Sequence, residues 1–133
     1  MTDDEERFLS YVRRGFFAVD VQSGRIWKLK RKGRNSSKWL PNSNGPTPCE
    51  IRMGSGGYYG IPFHVKGKKH HVLVHRIIYI LGSNKDIPEG YVVNHINGIK
   101  NHNQFSNLEC ITVRDNTMHA REVLGVGPNI KKI

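Results

Sequence analysis

The chain has 133 residues, of which 37% are hydrophobic and 24% charged, as in a single globular domain. Its longest apolar run, residues 72–81, contains His75 and Arg76 and is too short for a membrane span, so a membrane protein is excluded. Lysine and arginine total 21 against 11 acidic residues, and the net charge of +10 favours a polyanion such as nucleic acid as partner over a charge that serves only solubility. The acidic residues 1–6 lack the pattern of a secretion signal, which predicts a cytoplasmic protein.

The chain contains two cysteines, Cys49 and Cys110, which lie far apart in the sequence. Neither belongs to a Cys-x-x-Cys pair, so we expect no structural zinc. In a cytoplasmic protein both thiols stay reduced, and we interpret them as ordinary buried or half-buried residues.

The first stretch, residues 1–48, combines a helix, a hairpin and a basic loop. A short helix is predicted over residues 5–13, and two strands over residues 16–20 and 25–29 flank a turn that contains Gly24. A dense cationic segment follows, which is interpreted either as a solvated loop or, preferably, as an arm that follows phosphates. Its candidate contacts are Arg25, Lys28, Lys30, Arg31, Lys32 and Arg34. Residues 42–48 are interpreted as a linker.

The second stretch predicts two strands, residues 58–65 and 69–73, followed by a short buried helix over residues 75–81. The third predicts a strand over residues 91–95, a polar loop, a strand over residues 107–112 and a helix. That helix begins with a capping box formed by Thr112 and Asp115 and is expected to end near Gly125.

The third stretch carries residues suited to phosphodiester hydrolysis, which needs a base for water and a cation for the phosphate charge. His95, on the first of these strands, suits the base because neutral imidazole accepts a proton near pH 7. Oxygens of Asn94 and Asn116, with phosphate oxygens and waters, could hold Mg²⁺ or Mn²⁺. Most asparagines in such loops only cap turns, so the spacing alone does not decide the function.

Several motifs in order resemble the HNH endonucleases of phages and mobile introns. They are VHR at 74–76, IPEGYVVNHING at 87–98, KNHN at 100–103, NLE at 107–109 and DNTMH at 115–119. The resemblance spans about residues 72–120, and a weaker one covers the hairpins before it. It implies a ββα-metal fold and metal-dependent hydrolysis of DNA.

The resemblance also assigns roles to single residues. His95 would be the general base, Asn107 would hold the polar loop and orient His95 through its amide, and Asn116 would be a metal ligand. Many members have an aspartate ligand where this chain has Asn94. Three interpretations follow: weaker metal binding with activity intact, which we favour, compensation by another ligand, or a degenerate nuclease that only binds DNA.

The remaining polar residues near these motifs have open roles. His119, three residues after Asn116, is a candidate further metal ligand or a donor to the scissile phosphate. His75 is expected to orient the core or to touch a phosphate, and His102 to contact DNA or solvent. Candidate phosphate contacts in this region are Arg76, Lys100 and Arg114.

The predicted protein is a small α+β HNH nuclease: a DNA-contacting module over residues 1–48 and a nuclease domain over residues 49–133, with its ββα core at about 88–125. We expect a homing-endonuclease-like enzyme that cleaves double-stranded DNA with Mg²⁺ or Mn²⁺, as a monomer that nicks or a homodimer that cuts both strands. The alternative is a weakened DNA-binding protein on the same scaffold. An RNA-binding or structural protein is less favoured because aromatic stacking motifs are lacking.

Overall fold

The computed structural model describes residues 1–32, 39–42 and 45–122. It is a mixed helix and sheet fold, as the sequence predicts. The expected helix end at Gly125 and the candidate contact Arg34 lie outside the described residues. In order, the elements are α1 Asp3–Arg13, β1 Phe17–Asp20, β2 Arg25–Lys28, β3 Lys30–Lys32, β4 Trp39–Pro41, β5 Thr47–Pro48, β6 Arg52–Met53, β7 Tyr59–Val65, β8 Lys68–Leu73, α2 Val74–Ser83, β9 Tyr91–His95, β10 Leu108–Thr112 and α3 Val113–Glu122.

Helix α1 begins two residues before its predicted start because Thr2 and Glu5 form a capping box. The Glu5 amide donates to Thr2 Oγ1 at 3.1 Å, and the Thr2 amide donates to Glu5 Oε1 at 2.9 Å. The same Glu5 carboxylate, 3% exposed, is paired with Arg76 at 2.6 Å. Glu5 therefore both starts α1 and joins it to α2.

Two small three-stranded sheets and a separate β3–β4 pair precede the last hairpin. Strands β1, β2 and β5 form the first sheet, in which Trp27 is opposite Pro48, so the segment predicted to be a linker supplies a strand. Strands β6, β7 and β8 form the second. The β7–β8 hairpin leads directly into α2, and this order matches the prediction.

One cluster of buried side chains contains residues from both sides of the boundary predicted at residue 48. The Phe8 ring meets Phe17 edge-on at 4.6 Å between centroids and stacks on Phe63 at 5.6 Å. Helix α1 thus packs on both three-stranded sheets. The assignment of residues 1–48 as a DNA-contacting module and of residues 49–133 as a nuclease domain stays a prediction.

The β9–β10 hairpin and α3 form the predicted ββα unit. The strands are antiparallel, with His95 opposite Leu108 and Tyr91 opposite Thr112. The Thr112 hydroxyl accepts the Asp115 amide at 3.2 Å, which caps the start of α3. Both α2 and α3 pack against β9 and β10. In the part of the chain described, no helix is long and apolar enough to cross a membrane.

Candidate active site

His95 ends strand β9, and its ring is held by one amide. The residue is only 3% exposed, and its Nε2 lies 2.7 Å from Asn103 Oδ1. An amide oxygen can only accept a hydrogen bond, so with this assignment Nε2 carries the proton. The lone pair of the neutral ring is therefore on Nδ1.

The Nδ1 atom of His95 makes no hydrogen bond within the described part of the chain. The nitrogen that can accept a proton is therefore left free by the side chains and carbonyls that the structure describes.

Two aromatic neighbours line the His95 ring. The His75 ring, from α2, lies 5.0 Å from it between centroids, and Tyr58 stacks on His75 at 4.9 Å. Lys100 covers the outer side of Tyr58, with Nζ 4.7 Å from the ring centroid, and donates a hydrogen bond to the Gly56 carbonyl. Tyr58 also lies 6.1 Å from the His95 ring, so His75 packs against both Tyr58 and His95 in a cluster of three rings, a structural position that the sequence left open.

Burial keeps both histidines neutral near pH 7. Desolvation lowers the pKa of His75 to about 3, and the nearby charges of His95 and Arg76 act in the same direction. Desolvation also lowers the pKa of His95, against the opposing effect of its hydrogen bond to Asn103. A neutral His95 can accept a proton from water.

Asn107 holds the polar loop, as predicted, but a different amide contacts His95. Asn107 Oδ1 accepts the Asn97 amide at 3.1 Å, and its Nδ2 donates to Asn97 Oδ1 and to the His102 carbonyl, each at 2.9 Å. The orienting contact predicted for this side chain is made by Asn103, whose importance the sequence reasoning missed. The feature of the sequence that could have indicated Asn103 is its place in the KNHN motif at 100–103.

The N-terminal hairpin supports the loop that carries Asn103. A Cβ on Gly24, whose φ is +73°, would lie 2.4 Å from the Asn103 carbonyl carbon. The Phe105 amide also donates to the Val21 carbonyl at 2.8 Å. The turn between β1 and β2 therefore contacts the residue that orients His95.

Asn94 is hydrogen-bonded across the hairpin to an acidic side chain. Strand register places it opposite Glu109, and Asn94 Nδ2 donates to Glu109 Oε1 at 2.8 Å. Both residues are half-buried. The sequence reasoning missed Glu109, although the pairing of two predicted strands could have indicated it.

The two candidate metal ligands on α3, Asn116 and His119, differ in their contacts. Asn116 is half-buried on a helix that packs against β9, the strand of Asn94. His119 Nε2 donates to the Ile96 carbonyl at 2.9 Å, so that nitrogen ties α3 to the residue after His95. Only Nδ1 of His119 is left as a possible ligand.

The structure places the three predicted phosphate contacts Arg76, Lys100 and Arg114 in different surroundings. Arg76 is paired with Glu5, and its side chain is 22% exposed, so the structure gives it a different partner. Lys100 is held by the Gly56 carbonyl and the Tyr58 ring. Arg114 is exposed on α3.

In the N-terminal stretch, Arg25 is exposed and lines a cleft of about 610 Å³ beside Trp27, His102 and Asn103. Lys28 is half-buried, and Lys30 Nζ lies 4.7 Å from the Phe16 ring centroid. Arg31 and Lys32 belong to β3, but their side chains lie outside what the structure describes.

Several known proteins are similar to this chain in sequence or in fold. Residues 72–118 match the family model described as HNH endonuclease. The chain is 41% identical over 100 residues to the "SPbeta prophage-derived putative HNH homing endonuclease YosQ" of Bacillus subtilis (strain 168), an alignment that covers 73% of this chain and 53% of the relative. It is 34% identical over 91 residues to the "Uncharacterized HNH endonuclease L247" of Acanthamoeba polyphaga mimivirus, covering 67% of this chain and 20% of that protein.

The fold is similar to that of the HNH homing endonuclease I-HmuI, whose structure concerns DNA binding and cleavage. The TM-score is 0.61 at 22% identity, over 86% of this chain and 56% of that one. The chain thus spans about half the length of the first curated relative. The match over residues 72–118, the two relatives and the fold together show that this chain is similar to HNH endonucleases.

Proposed function

We propose that the chain is a metal-dependent, homing-endonuclease-like HNH endonuclease that hydrolyses phosphodiester bonds in double-stranded DNA. The observation that carries this proposal is the neutral His95, held by Asn103 with its lone pair on Nδ1. That is the arrangement a general base requires.

In the proposed mechanism His95 Nδ1 takes a proton from the attacking water. Its Nε2–H stays bonded to Asn103 Oδ1, which orients the ring and stabilises the imidazolium that forms. Asn107 maintains the loop geometry through its bonds to Asn97 and the His102 carbonyl. The oxygen of the water then bonds to phosphorus as the leaving oxygen departs.

Asn94 and Asn116 offer oxygen donors of the kind that a hard divalent cation prefers. Asn94 uses its nitrogen on Glu109, which leaves Oδ1 as its free donor, and Asn116 offers a second amide oxygen. The described residues contain no group of three His, Cys, Asp or Glu side chains that could hold a metal. The proposed ligands are therefore oxygens of Asn94 and Asn116 with water and phosphate, as Mg²⁺ or Mn²⁺ prefers. A bound cation of this kind stabilises negative charge on the phosphate and the leaving oxygen.

The proposed partner is DNA because the chain carries a net charge of +10. Exposed Arg25 and Arg114 are the candidate phosphate contacts best supported by the structure, and we retain residues 1–48 as a DNA-contacting module. One centre cleaves one strand, so a monomer would nick and a homodimer could cut both. We place this activity in the cytoplasm.

The test is the conversion of supercoiled plasmid to open circles in Mg²⁺ or Mn²⁺. Nicking should disappear with EDTA and with His95→Ala, whereas His64→Ala, at an exposed histidine of β7, should nick like the parent protein. Nicking that persists in His95→Ala would refute the assignment of the base.

The alternative is a DNA-binding protein with a decayed site, favoured by the neutral Asn94 where many members have aspartate. It predicts DNA binding without nicking by the parent protein in Mg²⁺, Mn²⁺ or Ni²⁺. It also predicts that binding survives His95→Ala.

A further inference from the structure

Glu109 is a half-buried carboxylate on the ββα unit. Of the other acids between residues 72 and 118, Asp86 is paired with the N-terminal ammonium, and Glu89 and Asp115 are exposed. No ion pair among the described residues includes Glu109. Its negative charge is therefore uncompensated within the described part of a chain that is strongly basic.

Strand register holds this carboxylate beside the amide of Asn94. Directly opposite residues of an antiparallel pair project to the same face, and the bond of 2.8 Å from Asn94 Nδ2 to Glu109 Oε1 fixes their contact. Val93 and His95 point to the other, buried face of the strand. Glu109 thus shares the face of the proposed ligand Asn94, apart from the base.

The hydrogen bond also determines which oxygen atoms of the two side chains remain available to a cation. With its nitrogen donated to Glu109, Asn94 keeps Oδ1 as the atom that can meet a cation. Glu109 has a second oxygen, Oε2, with no partner in the described part of the chain. The pair therefore presents one amide oxygen and one carboxylate oxygen that are both free.

We propose that Glu109 supplies, from the neighbouring strand, the carboxylate charge for the divalent cation that Asn94 lacks. This inference rests on the proposed function. A carboxylate oxygen attracts a hard cation more strongly than an amide oxygen does. An aspartate at position 94 would face Glu109 as a like charge, so asparagine there and glutamate on β10 form a consistent pair.

The decisive experiment measures Mn²⁺ binding by calorimetry, without DNA and without turnover. Glu109→Gln keeps an oxygen that can accept from Asn94 Nδ2 but removes the charge, and we expect it to weaken Mn²⁺ binding by about ten- to a hundredfold. Glu89→Gln, an equal charge change at an exposed residue, should bind Mn²⁺ like the parent. The double variant Asn94→Asp/Glu109→Gln, with the charge moved to β9, should recover most of the affinity.

A second measurement needs no substitution. Mg²⁺, which is diamagnetic, should shift the side-chain carboxyl ¹³C NMR signal of Glu109 while that of Glu89 stays in place. A Glu109 carboxyl signal that does not move, or parental affinity in Glu109→Gln, overturns the inference while leaving a nicking, Mn²⁺-binding protein intact. A parent that neither binds Mn²⁺ nor nicks DNA overturns the proposed function, and this inference with it.

Discussion

His75 makes the folded protein sensitive to mild acid. Burial among Tyr58, His95 and the Glu5–Arg76 pair lowers the pKa of His75 to about 3, whereas the unfolded chain binds this proton at about 6.5. Between these two pKa values the unfolded state therefore binds a proton at His75 that the folded state does not bind. The stability that depends on neutral His75 is complete above pH 6.5 and is lost as the pH falls toward 3.

The loss of folding stability is large enough to measure at pH 5, well above the pKa of His75 in the folded protein. Linkage gives about 1.4 kcal/mol per pH unit below 6.5, so lowering the pH from 8 to 5 should cost about 2 kcal/mol through His75 alone. His75→Phe keeps a ring packed against Tyr58 and His95 but cannot bind the proton. Urea unfolding of both proteins at each pH should therefore show a steeper decline for the parent. Parallel curves would show that the folded state accommodates a protonated His75, and the argument from burial would fail.

Three other substitutions test single contacts. Asn103→Leu removes a hydrogen bond to the base worth about 1–3 kcal/mol, so nicking should slow by about ten- to a hundredfold; an undiminished rate would refute the orienting role. Gly24→Ala should destabilise the protein and slow nicking more than Gly90→Ala, which has a similar positive φ but open space around it; equal effects would mean that the Asn103 loop yields freely. Arg76→Met should cost about 3–5 kcal/mol by leaving Glu5 buried and unpaired, yet keep the salt dependence of DNA binding; a flatter dependence would restore Arg76 as a phosphate contact.

The regular elements were predictable because their signals are local. The strands that contain His95 and Cys110 were predicted over residues 91–95 and 107–112, and the hydroxyl of Thr112 indicated the start of α3. The two-residue strand Thr47–Pro48 carries too short a pattern to predict, since its formation depends on β2 being beside it. Register and partners are tertiary properties, and they decide such short strands.

For the candidate site, the sequence allowed predictions only where the type of a residue itself suggests a role. The motif predicted His95 on a strand and Asn107 as the holder of the polar loop, and the structure has His95 at the end of β9 and Asn107 bonded to that loop. The motif could not show that the Asn103 oxygen reaches His95, because this contact depends on how the loop closes over eight residues. Likewise Arg76 resembles any surface cation until the fold brings a buried Glu5 beside it from the other end of the chain.

The hairpin of residues 17–28 has a structural role in the candidate site in addition to any contact with DNA. Asn103 orients His95, and the backbone of Asn103 is in close contact with Gly24, while Val21 accepts the Phe105 amide. The loop is thus fixed from inside by Asn107 and from outside by a segment more than 75 residues away in the sequence. A change in the first hairpin can therefore reach the His95 ring through the loop backbone alone. The boundary predicted at residue 48 separates two parts of the sequence that build one geometry around His95.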